Sequence, residues 1–137
     1  MKTLNVFKQE EITNIQQNMS CRFSVQIDAD ILKKSSVSCE WLKHLKLRFA
    51  SHLWNKITGI SSDEAMKNFM LFLMNINPCD MMNFYMKIYD SFSECTLFRT
   101  IVRYHYHDGN VCRLQITMKP YSEGSQVISD GLIQTLF

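Results

Sequence analysis

From Thr96 the chain alternates apolar and polar residues with a period of two, meets Asp108-Gly109, and then resumes the alternation. Phe98, Thr100, Val102, Tyr104 and Tyr106 share one face, and Arg99, Ile101, Arg103, His105 and His107 the other. Beyond the turn, Cys112, Leu114, Ile116 and Met118 interleave with Arg113, Gln115, Thr117 and Lys119. A period of two sends alternate side chains to opposite faces, so this is a half-buried antiparallel pair. A two-residue loop, Asp108-Gly109, would set Val102 opposite Gln115. A three-residue loop, Asp108 to Asn110, sets Tyr106 opposite Cys112, Tyr104 opposite Leu114 and Val102 opposite Ile116. The second keeps one face apolar and needs a single left-handed residue, Gly109 or Asn110. It is the expected register.

The remaining elements can be placed around this hairpin. Phe7 to Met19 carries a thin apolar stripe at helical spacing, suited to the outside of a domain or to a twin helix in a dimer. Cys21 to Asp28 alternates as a half-buried strand, and Leu45, Leu47 and Phe49 alternate with Lys46, Arg48 and Ala50 as a second. Between them, Ile31 to Leu45 admits two readings: a short helix capped by Ser38 that carries Trp41 and Leu42, or an irregular loop. His52 to Thr58 reads as a helix closed by Gly59. Ser61 and Glu64 have capping-box spacing for a helix from Ser62 to Asn68, and Phe69 to Asn75 is another short helical piece. Asn77, Pro78 and Asp80 supply a cap, a first-turn proline and an acid at the positive helix end. They start a helix to about Phe92 with Met81, Phe84, Tyr85, Ile88 and Phe92 on its apolar face. Ser122 to Ser125 is a turn, and Gln126 to Phe137 a last strand, expected to kink or bulge at Asp130-Gly131.

At 137 residues the chain is long enough for one domain and one core. Fifteen basic residues against 13 acidic ones leave too balanced a charge for nucleic acid to be the partner. No apolar run approaches a membrane span. Cys21, Cys39, Cys79, Cys95 and Cys112 are widely spaced and odd in number, which fits reduced thiols in the cytoplasm better than a disulfide framework or a zinc site.

Four stretches, in this order, resemble the PAS sensory domains: Trp54 to Ala65 through the small helices, Ile76-Asn77-Pro78-Cys79-Asp80 opening the long helix, Arg103 to Arg113 with Asp108-Gly109 as an Arg-x-x-x-x-Asp-Gly-x-x-x-Arg hairpin, and Gly131-Leu132-Ile133-Gln134 closing the sheet. The resemblance covers residues 20 to 137, leaving 1 to 19 as a flanking helix. The stretch from Ile31 to Lys46 is longer than the turn such domains usually have there. The resemblance implies an α+β fold: a five-stranded antiparallel sheet with short helices on one face, holding a small cavity. It also implies a sensory role in a bacterial signalling protein such as a two-component histidine kinase, with an output module in a longer parent chain. The alternatives are a ligand-free dimerisation domain and a small isomerase- or hydrolase-like enzyme, which would need a buried dyad such as His52 with Asp80.

The chemistry-bearing residues narrow this further. His105 and His107 share a strand face but have no metal-site spacing with a third ligand, so no metal is expected. Such domains hold haem through a histidine on the long helix, and residues 77 to 92 contain none. Ser20-Cys21-Arg22-Phe23 has the letters of a flavin-reactive motif but sits on the first strand. No cofactor is therefore expected. Met66, Met70, Met74, Met81, Met82 and Met86 admit two readings, flexible filling of the core or a soft pocket wall for a small apolar metabolite. The expected lining is Trp54, Phe72, Met74, Phe84, Met86, Ile88, Val102, Tyr104, Leu114 and Ile116, with Arg99 and Arg103 at its polar edge. Asn77, Pro78, Asp80, Asp108 and Gly109 are expected to be structural. A homodimer through the first helix and the outer sheet face completes the reading.

Overall fold

In β1 (Ser20–Asp28) the apolar residues Cys21, Phe23, Val25 and Ile27 are all buried, as the alternation predicts. A computed structural model of the protein describes residues 18–34 and 39–136, and in it β1 is one of five strands. The others are β2 (Lys46–Ala50), β3 (Phe98–His105), β4 (Val111–Glu123) and β5 (Gln126–Leu136). Their order across the sheet is β2-β1-β5-β4-β3, and every pairing is antiparallel. The helices fall between β1 and β3 in sequence: α1 (Ala29–Lys34), α2 (Trp54–Thr58), α3 (Ser62–Lys67), α4 (Met70–Leu73) and α5 (Pro78–Glu94), with a 3₁₀ turn at Cys39–His44. The fold is thus α+β, with the core between the helices and one sheet face.

Local chemistry sets the helix ends. Ser61 Oγ accepts from the Glu64 amide at 3.1 Å to start α3. Gly59 closes α2 with φ +72°, its amide donating to the Asn55 carbonyl. Asn77 Oδ1 accepts from the Cys79 amide at 2.9 Å, and Pro78 fills the first position of α5. Phe84, Ile88 and Phe92 then lie buried along α5, each contributing about 1.5–3 kcal/mol of apolar burial.

Several expectations change. The loop between β3 and β4 has three residues, but they are His107, Asp108 and Gly109. Tyr106 and Asn110 bond across it, and the Gly109 amide donates to the Tyr106 carbonyl. Tyr104 therefore faces Cys112, Val102 faces Leu114 and Thr100 faces Ile116. The expected pairs are displaced by two residues, which preserves the faces. The left-handed position ends this kind of loop, and Gly109 takes it at φ +89°, leaving Asn110 to lead into β4.

β5 runs past Asp130-Gly131 with unbroken pairing on both sides, so the expected bulge is absent there. Gly131 serves packing instead: the Phe23 ring lies where its Cβ would be, 2.3 Å away. The irregularity falls between β1 and β2 at Ser24/Val25. It turns Phe49 opposite Ser24 and onto the outer face, 52% exposed, against its expected place beside Leu47.

The first helix was expected to extend to Met19. Residues 7–17 lie outside the described residues, and Asn18 and Met19 are not helical. The Thr135 amide donates to the Met19 carbonyl at 2.9 Å, extending the ladder beyond β1. In the Ile31–Leu45 stretch, α1 and the 3₁₀ turn occupy the described residues and bury Leu32, Trp41 and Leu42.

The edge of β3 is not left open. The Asn77 amide donates to the Arg103 carbonyl at 2.8 Å, and the His105 amide donates to the Asn75 carbonyl at 2.7 Å. Residues 75–77 thus close the strand like a short sixth rung, with a single bridge between Ile76 and Tyr104.

Candidate functional site

The centre of the helix–sheet interior is aromatic. Trp54 of α2 packs on Phe72 of α4 with ring centres 5.3 Å apart, and Phe72 stacks on Tyr104 of β3 at 5.4 Å. Phe23 and Phe69 flank Trp54 at 5.8 and 6.4 Å. The indole Nε1–H of Trp54 has no hydrogen-bond partner among the described residues, although the residue is 1% exposed. A buried donor in that state costs the desolvation of its N–H, about 1–3 kcal/mol, unless something accepts from it.

Two tyrosines tie this nest to the end of α2. The Tyr104 hydroxyl donates to the Thr58 carbonyl at 2.6 Å and accepts from Asn75 Nδ2 at 3.1 Å. The Tyr106 hydroxyl donates to the Ile57 carbonyl and lies 3.2 Å from Cys112 Sγ. Helix ends leave carbonyls unpaired, and here Tyr104 of β3 and Tyr106 just beyond it supply the missing donors. Burial pushes the Tyr104 phenol up to about 12, the Asn75 bond opposing it. Burial, reinforced by Cys112, pushes Tyr106 further in the same direction. Burial also raises the Cys112 thiol. All three groups therefore stay protonated at neutral pH and act as fixed hydrogen-bonding groups.

Of the expected lining residues, Trp54, Phe72, Phe84, Ile88, Val102, Tyr104, Leu114 and Ile116 are buried together in this core. Met74 and Met86 are not: they are 63% and 53% exposed. Met86 stands two residues from Phe84, about 200° further round the helix, and so faces away from the sheet. Met66 and Met82 are exposed too, and only Met70 and Met81 of the expected soft wall pack partly on the core. Arg99 and Arg103 belong to the outer face of β3. Arg99 Nε donates to Thr117 Oγ1 at 3.3 Å. Arg103 curls round the sheet edge to Asp80, with Nε to Oδ2 at 3.0 Å and Nη2 to Oδ1 at 2.9 Å. Its amide also donates to Asp80 Oδ2 at 2.9 Å. Hydrogen bonds from Arg103 hold the Asp80 carboxyl below its ordinary value. With both oxygens so engaged, Asp80 does not form the dyad with His52, which is exposed in the turn before α2.

Asp108 acts inside its turn, accepting from the Asn110 amide at 2.9 Å. Sequence reasoning overlooked Asn75, Thr58, Tyr106 and Cys112. The available signal was a pair of tyrosines on the apolar face of a strand, since a buried phenol needs a partner. Among the described residues no group of three histidine, cysteine or acidic side chains converges as metal ligands, and no helix is long and apolar enough to cross a membrane.

A second feature lies on the other side of the sheet. Arg22, Ser24, Phe49, Leu97, Thr117 and Leu132 border a groove of about 460 Å³. Ser24 Oγ is buried there without a partner among the described residues. Ile101, Val111 and Tyr121 extend the exposed apolar surface along this face.

No family model matches the sequence, and no curated protein is similar to it in sequence. Solved structures are similar in fold. The N-terminal domain of a diguanylate cyclase with a PAS/PAC sensor from Marinobacter aquaeolei superposes with a TM-score of 0.61 at 8% identity, over 84% of this chain and 93% of that one. A PAS domain from a two-component sensor histidine kinase gives 0.55 at 10% identity, over 98% and 99%. The PAS-B domain of Drosophila melanogaster Cycle, with bound ethylene glycol, gives 0.56 at 12%, over 84% and 99%. A β2-β1-β5-β4-β3 sheet, a run of short helices and one long capped helix, together with a likeness to these structures over 84–98% of the chain, give this chain the PAS fold.

Proposed function

We propose that the chain is a sensory or regulatory domain of a signal-transduction protein, working as a module within a longer cytoplasmic chain. The observation that carries this reading is the unpartnered Trp54 Nε1–H inside the Trp54–Phe72–Tyr104 nest. A small, mainly apolar compound with one acceptor atom would satisfy that donor. Entry would separate α2 from α4, and the Tyr104 and Tyr106 bonds to α2 would carry the displacement to β3. The outer face, where Phe49, Leu97 and Ile101 are exposed, is the surface for a second copy and, through it, for the attached output module.

Native mass spectrometry with a thermal-shift screen of small apolar acceptors tests the ligand. A retained compound, or a shift that Trp54→Phe abolishes, is the expected result. No retained mass and no shift would overturn ligand binding and favour the second reading, a ligand-free dimerisation domain. That alternative is supported by the same exposed outer face.

A further inference from the structure

His105 and Asn77 meet at the closed edge of β3, with Asn77 Nδ2 2.9 Å from His105 Nε2. The roles in this contact are fixed from one side. Asn77 Oδ1 is engaged by the Cys79 amide as the cap of α5, so the amide nitrogen is the atom that faces the ring. An amide nitrogen only donates. Nε2 must then carry the lone pair, and the imidazole is neutral with its proton on Nδ1.

From this geometry we infer that the His105–Asn77 pair is a proton-sensitive latch on the start of α5. Protonating the ring sets N–H against N–H. Relief comes from turning the Asn77 amide so that Oδ1 meets the imidazolium, which removes the cap from the Cys79 amide. The neighbouring groups are known. Asp80 and Cys79 stand on the same helix turn, and the Asp80 carboxylate attracts the positive ring. Arg103 and His107 flank it along the chain, Asp108 lies in the turn, and β4 brings Cys112 and Arg113 beyond its paired residue Val111. Arg103 already occupies Asp80, which leaves Asn77 as the adjustable partner.

The test is a ¹⁵N NMR titration of the full chain from pH 8 to pH 5, following the Asn77 side-chain amide and the solvent protection of the Cys79 amide. Both should move with one transition, and Cys79 protection should fall roughly fivefold, the size of a lost cap. His105→Gln, whose amide oxygen can still accept, should abolish the transition. Asn77→Asp keeps a capping oxygen and can also accept from the charged ring, so acid should raise Cys79 protection in that variant. Should His105→Gln fail to fold, the wild-type and Asn77→Asp titrations decide by their opposite signs. A flat wild-type titration, a transition that survives in His105→Gln, or the same sign in Asn77→Asp would overturn the latch.

Discussion

A methyl group at position 131 would sit 2.3 Å from the Phe23 ring, which lies across the strand from it in direct register. The backbone of Gly131 is not left-handed, so what the position needs is empty space. Gly131→Ala should therefore lower stability by about 1–3 kcal/mol, the usual cost of overpacking a fitted site. Urea denaturation measures it. Phe23→Leu in the same chain should recover part of the loss, because the two positions share one contact. If the double variant instead lost the full sum of the two single effects, the clash would not be the cause. A glycine beside an aspartate suggests a kink, and only the opposite strand reveals that it makes room for a ring.

At the scale of elements, α5 and β3 are joined by the Asp80–Arg103 pair and by the backbone bonds of Asn75 and Asn77. The Asp80 carboxyl is held below its ordinary value, so the folded state favours its ionised form. This contribution is complete above the unfolded carboxylate value of about 3.9 and is lost as pH falls through the lower folded value. Asp80→Asn should flatten the acid limb of stability below pH 4 while leaving the region above pH 5 parallel to wild type. Denaturant midpoints from pH 7 to pH 2.5 would show it, and an unchanged acid limb would rule the pair out as its source. The start of α5 was legible in the sequence because Asn77, Pro78 and Asp80 act within one turn. The hairpin was legible as a pattern, but its loop was placed one residue late. Two residues could take a left-handed conformation, and only the closed loop shows that glycine does so. The outward direction of Met82 and Met86 was legible, since helical spacing sets both apart from Phe84 and Ile88; that of Met66 and Met74 was not, because α3 and α4 are too short to define a face.

For the whole molecule, the two sheet faces have different tasks. One is covered by helices. The other exposes Phe49, Leu97 and Ile101 around the groove. If that face joins two copies, Leu132→Asp should convert a dimer to a monomer in sedimentation equilibrium while the far-ultraviolet circular dichroism stays native. A wild-type monomer at every concentration would refute this use of the face. The closed β3 edge matters beyond the single chain. A sheet recruits a foreign strand only where a row of amides and carbonyls is free, and β3 has Arg103 and His105 already matched to residues 75–77. The opposite outer strand, β2, is five residues long and carries Lys46 and Arg48. Templated growth into fibrils therefore meets a row occupied at its Arg103–His105 end at one margin and a short cationic one at the other, an arrangement that disfavours runaway polymerisation even where the apolar face invites company.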